Sequence, residues 1–202
     1  MPRLAGQIDR AKNEAILDAA SDVLFEKGLA APLDEIARRA WVSKQTIYNH
    51  YGSKAELVRA LIARRAKLVS APLEAPLAEA FPQEALFGYA RAVLEAVSME
   101  RGTALFRLLI QAAPTTPELA RTAFEASVKN GRGRLADFLA REARAGRLAI
   151  ADPAEAASFF AGMVVSHHQM QALFGLPSDL RPETIDRIAR EAARRFMRAY
   201  AP

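Results

Sequence analysis

The sequence predicts an all-α protein in which a small three-helix module is joined by a fourth helix to a larger helical domain. Three observations carry this. Apolar residues recur three and four apart along most of the chain, and no stretch alternates with a period of two. Helix starts and stops are marked by Ser43, Ser53 and Asp152 on one side and by Gly28, Gly52 and Gly146 on the other. Prolines cluster at Pro72, Pro76 and Pro82, where a module boundary belongs.

The 202 residues suffice for one or two domains with a real core, and 51% hydrophobic with 25% charged residues is ordinary for a folded protein. With no cysteine, disulfides and thiolate chemistry are excluded. The start, MPRLAGQIDRAKNEAI, lacks the apolar core of a signal peptide, and no stretch reads as a membrane span. A cytoplasmic protein is expected. The net charge of +5 is unevenly spread: residues 1–69 hold twelve Lys/Arg against eight Asp/Glu, the remainder sixteen against fifteen. Between Arg38 and Lys67 stand eight basic residues and one acid, Glu56. Either the first third meets a polyanion, or it carries a solvated basic face.

Residues 1–8 are expected to be loose. A first helix runs from about Asp9 to Lys27 with Ile16, Ala19, Ala20, Val23 and Leu24 as its stripe, and Gly28 stops it. Pro32 suits the first turn of the next helix, where a missing N–H costs nothing. The stretch Leu33–Lys54, LDEIARRAWVSKQTIYNHYGSK, then reads as two short helices around a tight turn. Ile36, Ala37 and Ala40 form the inner face of the first, and Ile47 and Tyr51, four apart, that of the second. Ser43 is placed as the N-cap of this second helix, Lys44 to His50, which carries Lys44, Gln45, Thr46, Tyr48, Asn49 and His50 and no carboxylate. A short helix rich in outward donors and braced by an apolar helix before it is suited to reading DNA. Ser53 to Glu56 has capping-box form and opens a helix to about Ser70 with Leu57, Leu61, Ile62 and Leu68 on it.

Beyond it, helices are expected over about 82–99, 103–112, 117–145, 152–174 and 182–200. Gly131 and Gly133 weaken the third of these and mark a bend. The fourth starts on Asp152-Pro153 as cap and first residue. No charged residue occurs from Ala156 to Ser178, so this helix is expected to be buried on more than one face. The last is amphipathic, with Ile185, Ile188, Ala189, Ala192, Phe196 and Tyr200 on one stripe and Arg187, Arg190, Arg194, Arg195 and Arg198 on the others. The pair completes a domain core or packs on a second copy as a four-helix interface.

The stretch around Leu33–Lys54 resembles the TetR family of bacterial transcriptional regulators. The resemblance lies in Ala40, Val42, Ser43, Thr46, Tyr48, Tyr51, Ser53, Lys54 and Leu57 at the family's spacing, with Phe25, Gly28, Ile36 and Ala37 before them, over roughly residues 9–57. The Asp152-Pro153 helix and its neighbours are similar to the C-terminal domains of AefR-like members. The resemblance implies an N-terminal helix-turn-helix DNA-binding domain over residues 1–57, a connecting helix over about 54–70, and a helical ligand-binding and dimerisation domain over 71–202. It implies a ligand-responsive homodimeric repressor that binds a (pseudo)palindromic double-stranded operator, pairs through about 152–174 and 182–200, and is released by a small, mostly hydrophobic effector. Thr46 and Tyr48 would touch phosphates or base edges, and Lys54 a phosphate. Lys44 and Gln45 stand where base edges are reached, Asn49 and His50 add backbone contacts, and Ser43 is counted with them among the DNA-binding residues. Arg3, Arg10 and Lys12 either touch phosphates or form a solvated end. Two positions depart from the family: Trp41 replaces the usual turn glycine, and Ala31-Pro32 replaces a Thr-rich cap, offering no N–H at Pro32. Trp41 therefore either takes an ordinary conformation or is strained and packed against something.

Enzyme chemistry finds no support, and neither a cofactor nor a metal is expected. The histidines are His50, His167 and His168, and adjacent helical residues point about 100° apart, so the pair does not converge on one ion. Phe106, Gln111, Phe124, Phe138, Phe159, Phe160, Met163, His167 and Met170, with Phe174, either fill a core or line an apolar pocket oriented by Gln111 and His167. The rival function is a helical small-molecule-binding or scaffolding protein whose helix-turn-helix is only a packing motif.

Overall fold

A computed structural model of the chain describes residues 10–76 and 78–202; the segment 1–8, with Arg3, lies outside the described residues. The fold is helical, and no strand occurs among the described residues. Among the described residues eleven helices follow in order: α1 (Arg10–Lys27), α2 (Leu33–Arg39), α3 (Lys44–Tyr51), α4 (Lys54–Ser70), α5 (Pro82–Ser98), α6 (Glu100–Ala112), α7 (Pro117–Phe124), α8 (Asn130–Arg144), α9 (Pro153–Val165), α10 (His168–Leu173) and α11 (Pro182–Ala199). A 3₁₀ turn, Ala71–Glu74, follows α4, and a π turn, Glu125–Lys129, joins α7 to α8.

The chain divides into two compact units: Met1–Arg64 with Ala104–Ala123, and Arg65–Thr103 with Phe124–Pro202. In the first unit, Ile16, Ala20, Val23 and Leu24 of α1 are buried with Ile36 and Ala37 of α2, Ile47 of α3, and Leu57, Val58, Leu61 and Ile62 of α4. Gly28 takes φ +71°, the left-handed conformation that ends α1 and that glycine adopts without a Cβ clash.

The second unit is built around aromatic side chains. Phe160 of α9 meets Phe196 of α11 edge to face at 5.0 Å, and Tyr89 of α5 at 6.3 Å. Tyr200 closes on Phe196 at 4.6 Å. Leu86, Leu94, Leu135, Phe138, Leu139, Val164, Ile185 and Ala189 complete this core. Burial pushes the Tyr89 hydroxyl up to about 12, so it stays neutral. The carboxylate of Glu142 is also fully buried, and the Arg147 guanidinium meets it through both oxygens at 2.6 and 3.0 Å. This pair ties α8 to the turn that follows it.

Four local expectations change. The helix expected to begin near residue 103 begins at Glu100, because Met99 alone interrupts α5 and α6. The irregularity expected at Gly131 and Gly133 falls one turn earlier, where the Asn130 N–H reaches back to Glu125 O. Pro32 is the residue before α2 rather than inside it. The helix expected over 152–174 is broken: Asp152 caps α9 as expected, accepting from Ala154 N and Glu155 N at 2.9 and 3.0 Å, but Ser166 turns to φ +41° and separates α9 from α10. In the single chain α9 is buried on one face only, through Ala156, Ala157, Phe160 and Val164, and leaves Phe159 and Met163 exposed.

Truncating Phe196 removes a ring wedged between two others, so Phe196→Ala should destabilise the second unit by about 3–5 kcal/mol. Urea unfolding followed by circular dichroism measures it; a loss below about 1 kcal/mol would mean that this core is not closed as described.

Candidate nucleic-acid interface

The α3 helix has only eight residues, and its sequence alone would not hold it. Both ends are fixed by local chemistry. At the start, Ser43 has extended backbone and its hydroxyl accepts the Thr46 N–H at 3.0 Å, with the Thr46 hydroxyl a further 2.8 Å partner. At the end, Gly52 takes φ +74° and its N–H returns to Tyr48 O. One residue, Ile47, is buried, at 1% exposure, and anchors the helix to the core. Tyr51 is half-buried and donates to Asn13 Oδ1 at 2.6 Å, where His50 Nε2 also lies at 3.2 Å. His50 meets the Tyr51 ring edge to face at 4.5 Å.

With Ile47 turned in, Lys44, Gln45, Tyr48 and Asn49 turn out, all exposed. At about 100° per residue they share an arc of roughly 140°. Thr46 and His50 lie beyond the Asn49 edge of this arc, Thr46 half-buried against its own cap and His50 exposed. The arc is pre-ordered: Gln45 Nε2 donates to Asn49 Oδ1 at 2.7 Å, and Lys44 Nζ to Asp34 Oδ2 at 2.8 Å. The hydrogen bond to Asp34 raises the Lys44 pKa, so the ammonium is fully charged at neutral pH. Both partners of that pair are largely exposed, which makes the bond weak enough for a phosphate or base edge to replace.

Lys54, for which the resemblance implies a phosphate partner, has carbonyl partners within the chain. Its ammonium donates to Leu29 O and Ala31 O, the carbonyls of the loop between α1 and α2. Burial lowers its pKa. This lysine braces the loop that Pro32 leaves without an N–H. Ser53 accepts the Glu56 N–H at 3.2 Å, the hydroxyl half of the capping box.

The acids of α1 and α2 answer many of the basic residues. Arg39 forks onto Glu26 at 2.7 and 2.8 Å and reaches Glu35 at 3.4 Å; Arg38 meets Glu35 at 2.7 Å. The Arg38 guanidinium, with Lys27 nearby, holds the Glu35 carboxyl down at about 2. Arg64 joins Glu14 and Asp18 at 2.8 and 2.9 Å. These pairs lock α1, α2 and α4 together. The sequence did not disclose the parts of Asn13, Asp34, Glu26 and Glu35.

Trp41 is the outlier. It takes φ +56°, with its N–H on Arg38 O and the next N–H, of Val42, on Ala37 O. A left-handed conformation costs a non-glycine residue about 1–2 kcal/mol. The alternative of a strained and packed ring holds only in its first half, because Trp41 is 95% exposed.

The residues proposed for an apolar ligand fall into separate groups. Phe138 and Phe160 are enclosed in the core of the second unit. Phe124, Phe159, Met163 and Met170 are exposed on that unit, and His167 is exposed beside the buried His168, their rings 4.1 Å apart. Phe106 is half-buried and Gln111 exposed, both on α6 in the first unit.

A capped eight-residue helix presenting lysine, amides and a tyrosine, braced by a second short helix across a tight turn, is the reading head of a helix-turn-helix DNA-binding protein. Comparison with known proteins agrees. Residues 16–61 match the description "Bacterial regulatory proteins, tetR family", and residues 84–202 match "AefR-like transcriptional repressor, C-terminal domain". The chain belongs to the TetR family of transcriptional regulators, which is not a family of enzymes. It is similar to the HTH-type transcriptional regulator YdeS of Bacillus subtilis, 49% identical over 51 residues that make 25% of this chain and 26% of that protein. The HTH-type transcriptional activator FasR of Mycolicibacterium smegmatis is 50% identical over 50 residues, 24% of this chain and 23% of its own. The likeness thus spans about a quarter of the length of these curated relatives. Among solved structures, the flavonoid-responsive regulator FrrA is 31% identical with a TM-score of 0.70, covering 95% of this chain and 97% of its own. A TetR-family regulator from Mesorhizobium loti has a TM-score of 0.79 over 96% of this chain and 100% of its own, at 24% identity, and so speaks for the fold.

Ser43→Ala removes the α3 cap and should destabilise the head by about 1 kcal/mol. Thermal unfolding measures it; an unchanged midpoint would show that the Thr46 N–H finds another acceptor.

Proposed function

We propose that the protein is a homodimeric, ligand-responsive repressor that places α3 of each subunit in a major groove of a (pseudo)palindromic operator. The observation that carries this is the outward arc of Lys44, Gln45, Tyr48 and Asn49 on a helix capped at both ends. Gln45 and Asn49 carry both donors and acceptors and match adenine edges; Lys44 matches guanine O6 and N7. Ser43, Thr46, Tyr48 and His50 serve the backbone around them. Lys54 acts on DNA at one remove, by holding the loop in front of α2. The head is residues 1–57, and residues 71–202 form the ligand-binding and dimerisation domain.

The dimer is proposed through α9 and α11, about residues 152–174 and 182–200. The support is the outer face of α9, which beyond Glu155 in its first turn carries no charge and where Phe159 and Met163, one turn apart, stand in water in the single chain. Two-fold pairing covers such a face and sets the two heads about 34–36 Å apart, one turn of DNA. The effector is small and mostly hydrophobic, with Phe124, His167 and Met170 the exposed candidates of the second unit to contact it. FrrA, a relative over nearly the whole chain, is described as flavonoid-responsive, which favours an aromatic effector here. Release follows when the effector binds a non-operator conformation better; a hundredfold loss of affinity needs about 2.7 kcal/mol of coupling. Among the described residues no helix is long and apolar enough to cross a membrane, and we place the protein in the cytoplasm.

A gel-shift titration tests the reading. The duplex upstream of the protein's own reading frame should bind tighter than random DNA, with log K falling about 0.9 per phosphate neutralised as log salt rises. Equal affinity for both duplexes at physiological salt would favour a scaffolding or ligand-binding protein instead. In the same assay Gln45→Ala should alter base preference by about 1–3 kcal/mol at one position per half-site; an unchanged preference would remove Gln45 from the readout.

A further inference from the structure

We propose that Trp41 is a DNA-backbone contact, its indole lying on sugar and phosphate beside the groove that α3 enters. This rests on the DNA-binding reading above and adds a positioning residue to it. Three observations lead there. The residue keeps a left-handed backbone, φ +56°, that glycine would adopt freely. Its ring gains nothing from the fold in return, since 95% of it is exposed. Strain held at an exposed position points to a role outside the folded chain. Its place is specific: two residues before the Ser43 cap, at the N-terminal end of α3, the end that reaches base edges.

Charge and chemistry select the partner. Arg38 and Lys44 flank the ring in sequence, within a run of eight basic residues and one acid. A polyanion is favoured over another protein surface. An indole offers one N–H donor, matched to a phosphate oxygen, and an apolar face, matched to a deoxyribose. Contacts to the backbone fix register and orientation and carry no sequence information. Trp41 therefore supports every sequence alike, and Gln45 and Asn49 discriminate.

The strain gives the test two readouts of opposite sign. Trp41→Gly relieves the backbone and should raise the melting temperature by about 2–4 °C. The same variant should bind both the upstream duplex and a scrambled duplex about tenfold more weakly, the worth of a hydrogen bond to a charged group. The ratio of the two affinities should stay as in the wild type. Trp41 is the sole tryptophan, so wild-type fluorescence reports on it directly. Its emission should shift or quench on saturation with either duplex. Unchanged emission at saturation, or Trp41→Gly binding within twofold of wild type, overturns the proposal. A loss confined to the upstream duplex overturns the backbone assignment in favour of base readout. Lost self-association with unchanged DNA affinity assigns the ring to a second copy. If wild-type protein itself fails to prefer the upstream duplex, the DNA-binding reading falls, and this proposal with it.

Discussion

An eight-residue helix does not persist in water by itself, and the chemistry assigned to this protein depends on one that does. The Ser43 hydroxyl, the left-handed Gly52 and the single buried side chain of Ile47 supply what chain length cannot. Each acts at a different point. The cap fixes where the helix begins, the glycine where it ends, and Ile47 which face is turned outward. With those set, the positions of Lys44, Gln45, Tyr48 and Asn49 follow from helical geometry alone. The bond from Tyr51 to Asn13 extends the anchoring to α1, so the reading surface inherits the rigidity of the three-helix core.

Charge in this head is arranged for exchange. Read along the sequence, the run from Arg38 to Lys67 is almost purely basic. Folded, Arg38, Arg39, Lys44, Arg59 and Arg64 each have a carboxylate, and Lys54 has two carbonyls. Many of the carboxylates come from α1 and α2. Exposed pairs of this kind are worth at most about 1 kcal/mol, so they orient side chains without committing them. Lys44 on Asp34 is the instance that bears on the proposed function, because the pair holds the ammonium at the start of α3 while leaving it exposed.

The all-helical fold, the caps at Ser43, Ser53 and Asp152 and the stops at Gly28, Gly52 and Gly146 were legible in the sequence because they are local: hydroxyl, carboxylate or missing Cβ acts within a turn or two. The outward arc of α3 was legible for the same reason. What the sequence hid is long-range or conformational. Asn13 meets His50 and Tyr51 across more than thirty residues. The Lys54 ammonium was placed on a phosphate by family resemblance, whereas the folded chain gives it two carbonyls. The break at Ser166 occurs at a serine with no glycine or proline beside it, and apolar composition continues through it. Phe159 and Met163 read as core or as pocket lining, yet in the single chain they face water. Composition reports that a helix avoids water; it does not report whether its own chain or a second copy covers it.

The proposed function stands on α3 entering the major groove. Dimethyl sulfate footprinting on the upstream duplex reports this directly, since guanine N7 lies in the major groove and adenine N3 in the minor. Entry of α3 from both subunits gives N7 protection in two patches, centred roughly 34–36 Å apart on one face of the duplex. Protection of adenine N3 with guanine N7 left fully reactive would contradict it.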